Sequence, residues 1–188
     1  MKRIYYRILP AFIIFIGINL ACQISVGGPK LPQTNIPIST QAAGSVGDIW
    51  KTAVLDTKSG TVSLTLSEEQ LTSFLAAHLP AEQKSLFINP QIVLQDGQIQ
   101  VYGQMKKSYF IANVQIIMQA YVDNNGQPKL SIISADFGPL PAPAGLMDSL
   151  SSIFNEAFTG SLGPYATGLK IESIDIKNGK MTITGKKE

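Results

Sequence analysis

The sequence predicts an α+β domain: a curved antiparallel sheet of about six or seven strands with two amphipathic helices packed across it. Three observations lead there. Segments of period-two apolar alternation recur after residue 60 and meet at Asp-Gly or Asn-Gly turns. Two intervening segments carry apolar residues at helical spacing on one stripe each, so each has a single face to bury. The strand that starts at Phe110 is apolar on both faces, with Phe110, Ala112, Val114, Ile116 and Met118 on one and Ile111, Ile117 and Tyr121 on the other. A surface strand needs only one apolar face, so its second face must be covered or used.

The N-terminus is set apart first. Lys2, Arg3 and Arg7 precede an apolar run from Ile8 to Ala21, which has signal-peptide length and is short for a membrane span. It ends in Asn19-Leu20-Ala21-Cys22, which resembles a bacterial lipoprotein box with Leu20 one place late. Residues 1–21 are read as a lipoprotein signal peptide and Cys22 as the lipidation site. An ordinary secretory signal or an uncleaved anchor are the alternatives. Cys22 is the single cysteine, so no disulfide forms within one chain. The expectation is a protein of the cell envelope, membrane-anchored on the extracytoplasmic side.

The whole chain is +2, but without Lys2, Arg3 and Arg7 it carries 12 basic against 13 acidic residues. A chain so near neutrality, with Lys106-Lys107 and Lys186-Lys187 its only basic pairs, argues against nucleic acid as a partner. Both pairs read as solvated turn and tail residues.

Residues 22–40 contain Gly27, Gly28, Pro29, Pro32 and Pro37 and read as a tether, with a reach of about 20–25 Å if flexible. The single folded domain is expected over 41–188. A helix over 41–56 follows from Val46, Ile49, Trp50, Ala53 and Val54 at one stripe. A strand follows Gly60, with Val62, Leu64 and Leu66 on one face. Ser67-Glu68-Glu69-Gln70 is a capping box, and Leu66 can staple onto Leu71. That second helix runs to Leu79 and stops at Pro80, presenting Leu71, Phe74 and Leu75. His78, the only histidine, reads as a helix-end residue rather than a catalytic base.

Residues 91–105 form a hairpin at Asp96-Gly97, which pairs Leu94 with Ile99 and Ile92 with Val101. The pattern returns 82 positions later, from residue 92 to residue 174: Asn178-Gly179 is the turn, Ile176 meets Met181, and Gly185 stands where Gly103 stood. Between them lies the hairpin from Phe110 to Phe137, whose register stays open. One loop length pairs Met118 with Ile133 and Ile116 with Ala135; another pairs Met118 with Ile132. Pro139, Pro141 and Pro143 make a rigid extended loop. A helix over 144–158 then presents Leu146, Leu150, Ile153, Phe154 and Ala157, with Asp148 near its positive end. Gly160, Gly163 and Gly168 mark a loose loop.

Catalytic chemistry is sparse. No Gly-x-Ser-x-Gly elbow is present, and one histidine with one cysteine makes a nitrogen or sulfur metal site implausible. Asp123-Asn124-Asn125-Gly126 lacks calcium-loop spacing and reads as a turn. The chain is therefore expected not to be an enzyme and to need no cofactor; an envelope hydrolase with His78 as its base is the third class kept open. What remains is apolar surface. Leu71, Phe74, Leu75, Ile117, Leu150, Ile153 and Phe154 are the candidate contacts for a lipid or other hydrophobic ligand in a helix–sheet cleft. Alternatively the 41–56 helix covers the second sheet face and no cleft exists.

The Leu66–Leu71 helix start, the hairpin ending in Val101-Tyr102-Gly103, and Phe137-Gly138-Pro139-Leu140-Pro141 before a helix resemble YpmS-type bacterial lipoproteins. The chain is similar, more weakly, to LmeA-like phospholipid-binding proteins. The resemblance spans about residues 60–185 and supplies no catalytic residue. It implies an extracytoplasmic α+β domain that binds a lipid or hydrophobic ligand. A structural or protein-interaction module of the envelope is the competing class.

Overall fold

The computed structural model describes residues 23–55, 60–159 and 169–187. The signal peptide, Cys22 and the Gly160–Gly168 loop lie outside the described residues. The fold is α+β, a curled half-barrel of eight strands in two sheets with four helices among the described residues. In order these are β1 (Ile24–Ser25), α1 (Thr40–Leu55), β2 (Thr61–Ser67), α2 (Glu68–His78), α3 (Ala81–Leu86), β3 (Phe87–Gln95), β4 (Gln98–Lys107), β5 (Phe110–Val122), β6 (Pro128–Asp136), α4 (Leu146–Thr159), β7 (Leu169–Lys177) and β8 (Lys180–Lys187).

The single sheet expected from the sequence is divided for a local reason. The outer edge of β3 meets not a strand but α2, whose side chains stand in for one. The Ile92 amide donates to Thr72 Oγ1 at 2.9 Å and the Leu94 amide to Glu68 Oε1 at 2.8 Å. Thr72 and Glu68 are four apart on one helix face, so they match alternate amides of the strand. That edge is thereby closed to further pairing. The two sheets are bonded instead through turns, the Ile171 amide of β7 donating to Gly126 O of the β5–β6 turn at 3.1 Å and the two one-sided hairpins meeting end to end. Gly97 N–H donates to the Ile176 carbonyl and Gly179 N–H to the Leu94 carbonyl, a reciprocal pair between the two copies of the repeated hairpin pattern. The extra helix α3 arises because Pro80 starts a helix as well as ending one, accepting from the Lys84 amide at 2.9 Å.

The paired residues of both one-sided hairpins stand as expected, Leu94 opposite Ile99 and Ile176 opposite Met181. The capping box is present, with Gln70 N–H donating to Ser67 Oγ and Ser67 N–H to Gln70 Oε1. The β5–β6 hairpin uses both registers that the sequence left open. Met118 pairs with Ile132 near the turn and Ile116 with Ala135 beyond it, with Ile133 bulged between them. The turn is fixed by Asp123 Oδ1, which accepts from the Asn125 and Gln127 amides, both at 2.9 Å. Those amides and the Lys129 charge hold its carboxyl below the usual carboxylate range.

The second face of β5 is not covered by the 41–56 helix. That helix, α1, buries Val46, Trp50 and Val54 in the common core, and Trp50 Nε1–H donates to the Ala157 carbonyl of α4 at 2.9 Å. The tether covers the start of that face, at Ile111 and Asn113, while Ile117 is half-buried and Tyr121 exposed. Beyond the point where β6 ends opposite Gln115, β1 takes the same edge of β5 in parallel. Ile24 and Val26 donate to the Tyr109 and Ile111 carbonyls at 2.8 Å, and Asn113 N–H donates to Gly27 O. The chain then crosses the polar outer face. Asn113 Nδ2 donates to Pro29 O, Gln91 Oε1 accepts from the Ile36 amide at 2.6 Å, and Ser73 Oγ accepts from Ser39 N–H. Beneath it runs a ladder of amides and one phenol in which Gln115 donates to the Tyr102 hydroxyl and that hydroxyl to Gln100. Proline and glycine marked this segment as a free tether; its backbone is instead satisfied by an open strand edge and by side-chain amides.

Candidate functional site

Six of the seven candidate ligand contacts converge. Leu71, Phe74 and Leu75 from α2 meet Leu150, Ile153 and Phe154 from α4 in one cluster with the concave faces of both sheets, none more than 6% exposed. They fill the space between helices and sheet themselves. Ile117 stands apart, half-buried on the opposite face, because strand parity turns it away from Ile116 and Met118.

A groove at one end of the domain shares one residue, Met105, with the core cluster around those six contacts. Leu86 at the end of α3, Met105–Lys107 at the end of β4, and Pro141–Ala144 before α4 line this groove of about 260 Å³. Its floor is Met105, itself a buried member of the core cluster. Its rim carries Lys106 and Lys107, neither held in an ion pair among the described residues. The loop wall is fixed by Gln83, whose Nε2 donates to the Ala144 carbonyl at 3.1 Å. Leu146, fully buried, follows directly and leads into α4. The arrangement offers an apolar floor with a cationic rim, which suits an amphiphile with an anionic head.

Sequence reasoning missed this groove. Its signals were present as the Pro139–Pro143 run and the Lys106-Lys107 pair, but they lie more than 30 positions apart and only the fold joins them. A second groove of about 460 Å³ lies on the outer face, where Leu31–Ile38 crosses Asn89, Gln91 and Gln104. His78 belongs to neither. It is exposed, its Nδ1 2.9 Å from the Phe74 carbonyl and its ring stacked on Phe74 at 3.9 Å. Among the described residues no helix is long and apolar enough to cross a membrane.

No family model matches the chain, and no curated protein matches it. A solved structure described as "Crystal structure of lipopolysaccharide binding protein" aligns at 13% identity with a TM-score of 0.22. The alignment covers 82% of this chain and 48% of that one, so the chain spans about half of that protein's length. At that TM-score the likeness carries no argument for fold or ligand.

Proposed function

We propose that this protein is a membrane-tethered extracytoplasmic lipoprotein, anchored through Cys22, that binds a lipid or other hydrophobic ligand and catalyses no reaction. The observation that carries the reading is the groove whose floor, Met105, is shared with the core cluster and whose rim bears Lys106 and Lys107. At about 260 Å³ it falls just below the ~300–1,000 Å³ of ordinary ligand sites. It therefore takes the end of one chain, and a longer ligand continues under α4 by displacing that helix from Phe74 and Leu75. The reading agrees with what the resemblance to YpmS-type lipoproteins implies. Full-length protein extracted from membranes should carry lipid detectable by mass spectrometry and bind a fluorescent fatty acid. Ala142→Trp, which fills the groove from its exposed wall, should abolish that binding and leave the circular dichroism unchanged. Protein that carries no lipid and binds no fatty acid would refute the reading.

The competing reading, a structural or protein-interaction module, draws on β6. This edge strand exposes Ile132 at 42% and Ile133 at 51%, and its neighbour β5 exposes Tyr121 at 49%. Concentration-dependent dimerisation that Ile133→Lys removes, in protein free of ligand, would favour it.

A further inference from the structure

The β4–β5 turn places two aromatic side chains at the end of the domain where the chain leaves it. Tyr109 is 68% and Phe110 44% exposed. Lys106 and Lys107 precede them, and the segment Lys106–Phe110 holds no acidic residue. The Asp96-Gly97, Asn124-Asn125 and Asn178-Gly179 turns carry no aromatic residue at all. β1 docks against this same turn, with the Ile24 amide bonded to the Tyr109 carbonyl and the Ile24 side chain 52% exposed beside it. Cys22 stands two residues upstream, and two extended residues span at most about 7 Å. The apolar run Ile8–Ala21 ends immediately before it. Whether the anchor is an acyl group or the uncleaved run, it lies two residues before the Ile24 that is bonded to Tyr109.

From this juxtaposition we infer that the β4–β5 turn is a membrane-docking face, with Tyr109, Phe110 and Ile24 inserted at the headgroup–acyl boundary and Lys106 and Lys107 on anionic headgroups. Aromatic rings with an apolar body and a polar edge favour that boundary, and lysines beside it gain from the negative surface potential. The anchor alone would let a free tether hold the domain at a distance. The docked strap instead shortens it to two residues and presses this turn, rather than any other, to the bilayer. The groove between Leu86 and Ala144 opens at the same end, next to Lys107. The inference rests on the membrane-tethered part of the functional reading and not on ligand uptake.

The test uses the full chain in vesicles of phosphatidylcholine with one quarter phosphatidylglycerol. An environment-sensitive fluorescent amino acid replaces Ser108 in one preparation and Asn125 in another. Position 125 lies at the far end of the 13-residue β5, about 40 Å away. Quenching by lipids spin-labelled near the glycerol should be several-fold stronger at 108 than at 125. It should fall toward the level at 125 in Tyr109→Ser/Phe110→Ser, and lose its dependence on phosphatidylglycerol in Lys106→Gln/Lys107→Gln. Equal quenching at 108 and 125, or indifference to the aromatic pair, would overturn the inference. Ala142→Trp keeps the two readings separate, since it should block ligand and leave quenching at 108 intact.

Discussion

Replacing Gly28 by alanine should release the strap and leave the domain folded. Three backbone hydrogen bonds join residues 24–27 to 109–113, together about 2–4 kcal/mol net before the entropy of ordering the strap is charged against them. Gly28 has φ +111°, and a Cβ there would lie inside van der Waals contact of the Asn113 carbonyl oxygen. The dihedral alone costs an alanine about 1–3 kcal/mol. The oxygen cannot retreat, because β5 is paired along both edges. The penalty thus matches what holds the strap, whereas residues 23–30 bury no side chain fully, so the core is untouched. Hydrogen exchange should show the Ile24, Val26 and Asn113 amides losing protection about 10–100-fold, the equivalent of about 1.4–3 kcal/mol. Amides between β4 and β5 and the melting temperature should barely move. Gly27→Ala is the internal control. It has φ +96° but nothing within 4 Å of its Cβ, so its loss should be smaller. Wild-type protection at Asn113 and Val26 in Gly28→Ala would refute the argument; so would a global loss of stability that tracked the strap.

Thr72→Val leaves the buried Ile92 amide without its acceptor, and chemical denaturation should show a loss of about 1–3 kcal/mol. Phe154→Ala empties the centre of the cluster and should cost about 3–5 kcal/mol, while Ile117→Ala, half-buried on the other face, should cost well under half as much in the same titration. Asp123 has its folded pKa lowered, so its contribution is present above the ordinary carboxylate pKa and disappears as pH falls through the lower folded value. An NMR titration should place its midpoint below that of a free aspartate, and the Asn125 and Gln127 amides should lose protection over the same low-pH range. Asp123→Asn should remove that dependence.

What could be read from the sequence was set by interactions short along the chain. Two-residue turns fix hairpin register by themselves, so Leu94–Ile99 and Ile176–Met181 were legible. The capping box needs only four consecutive residues. The β5–β6 register was not legible, because a bulge at Ile133 lets both candidate pairings coexist, and a bulge is decided by twist and edge position rather than by the turn. The six core contacts were found because helical stripes must bury something. Their classification as cleft or core depends on how closely α4 approaches α2, which no periodicity encodes. Ile117 entered the candidates from the two-sided pattern of β5, and parity alone could have excluded it. The division of the sheet was hidden because Thr72 and Glu68 act as surrogate strand partners from a helix.

The strap was hidden for a related reason, and it binds the two proposals together physically. Proline and glycine lower the expectation of regular structure, yet a parallel edge needs only a few backbone groups in extended form, and Gly28 supplies the close approach to Asn113. A Cβ on Gly138 would meet the Gly28 backbone, so the strap ends against the residue that opens the Pro139–Pro143 loop. That loop forms one wall of the groove, and Leu146 at its end starts α4. Strap and loop therefore meet through backbone at Gly28 and Gly138, and the loop runs on through the groove wall into α4. The strap-to-loop contact is made by exposed residues outside the core, while the hairpin turns at Gly97 and Gly179 bond the two sheets to each other. The flanking hairpins serve as a frame, and the candidate function lies where the sequence is least periodic.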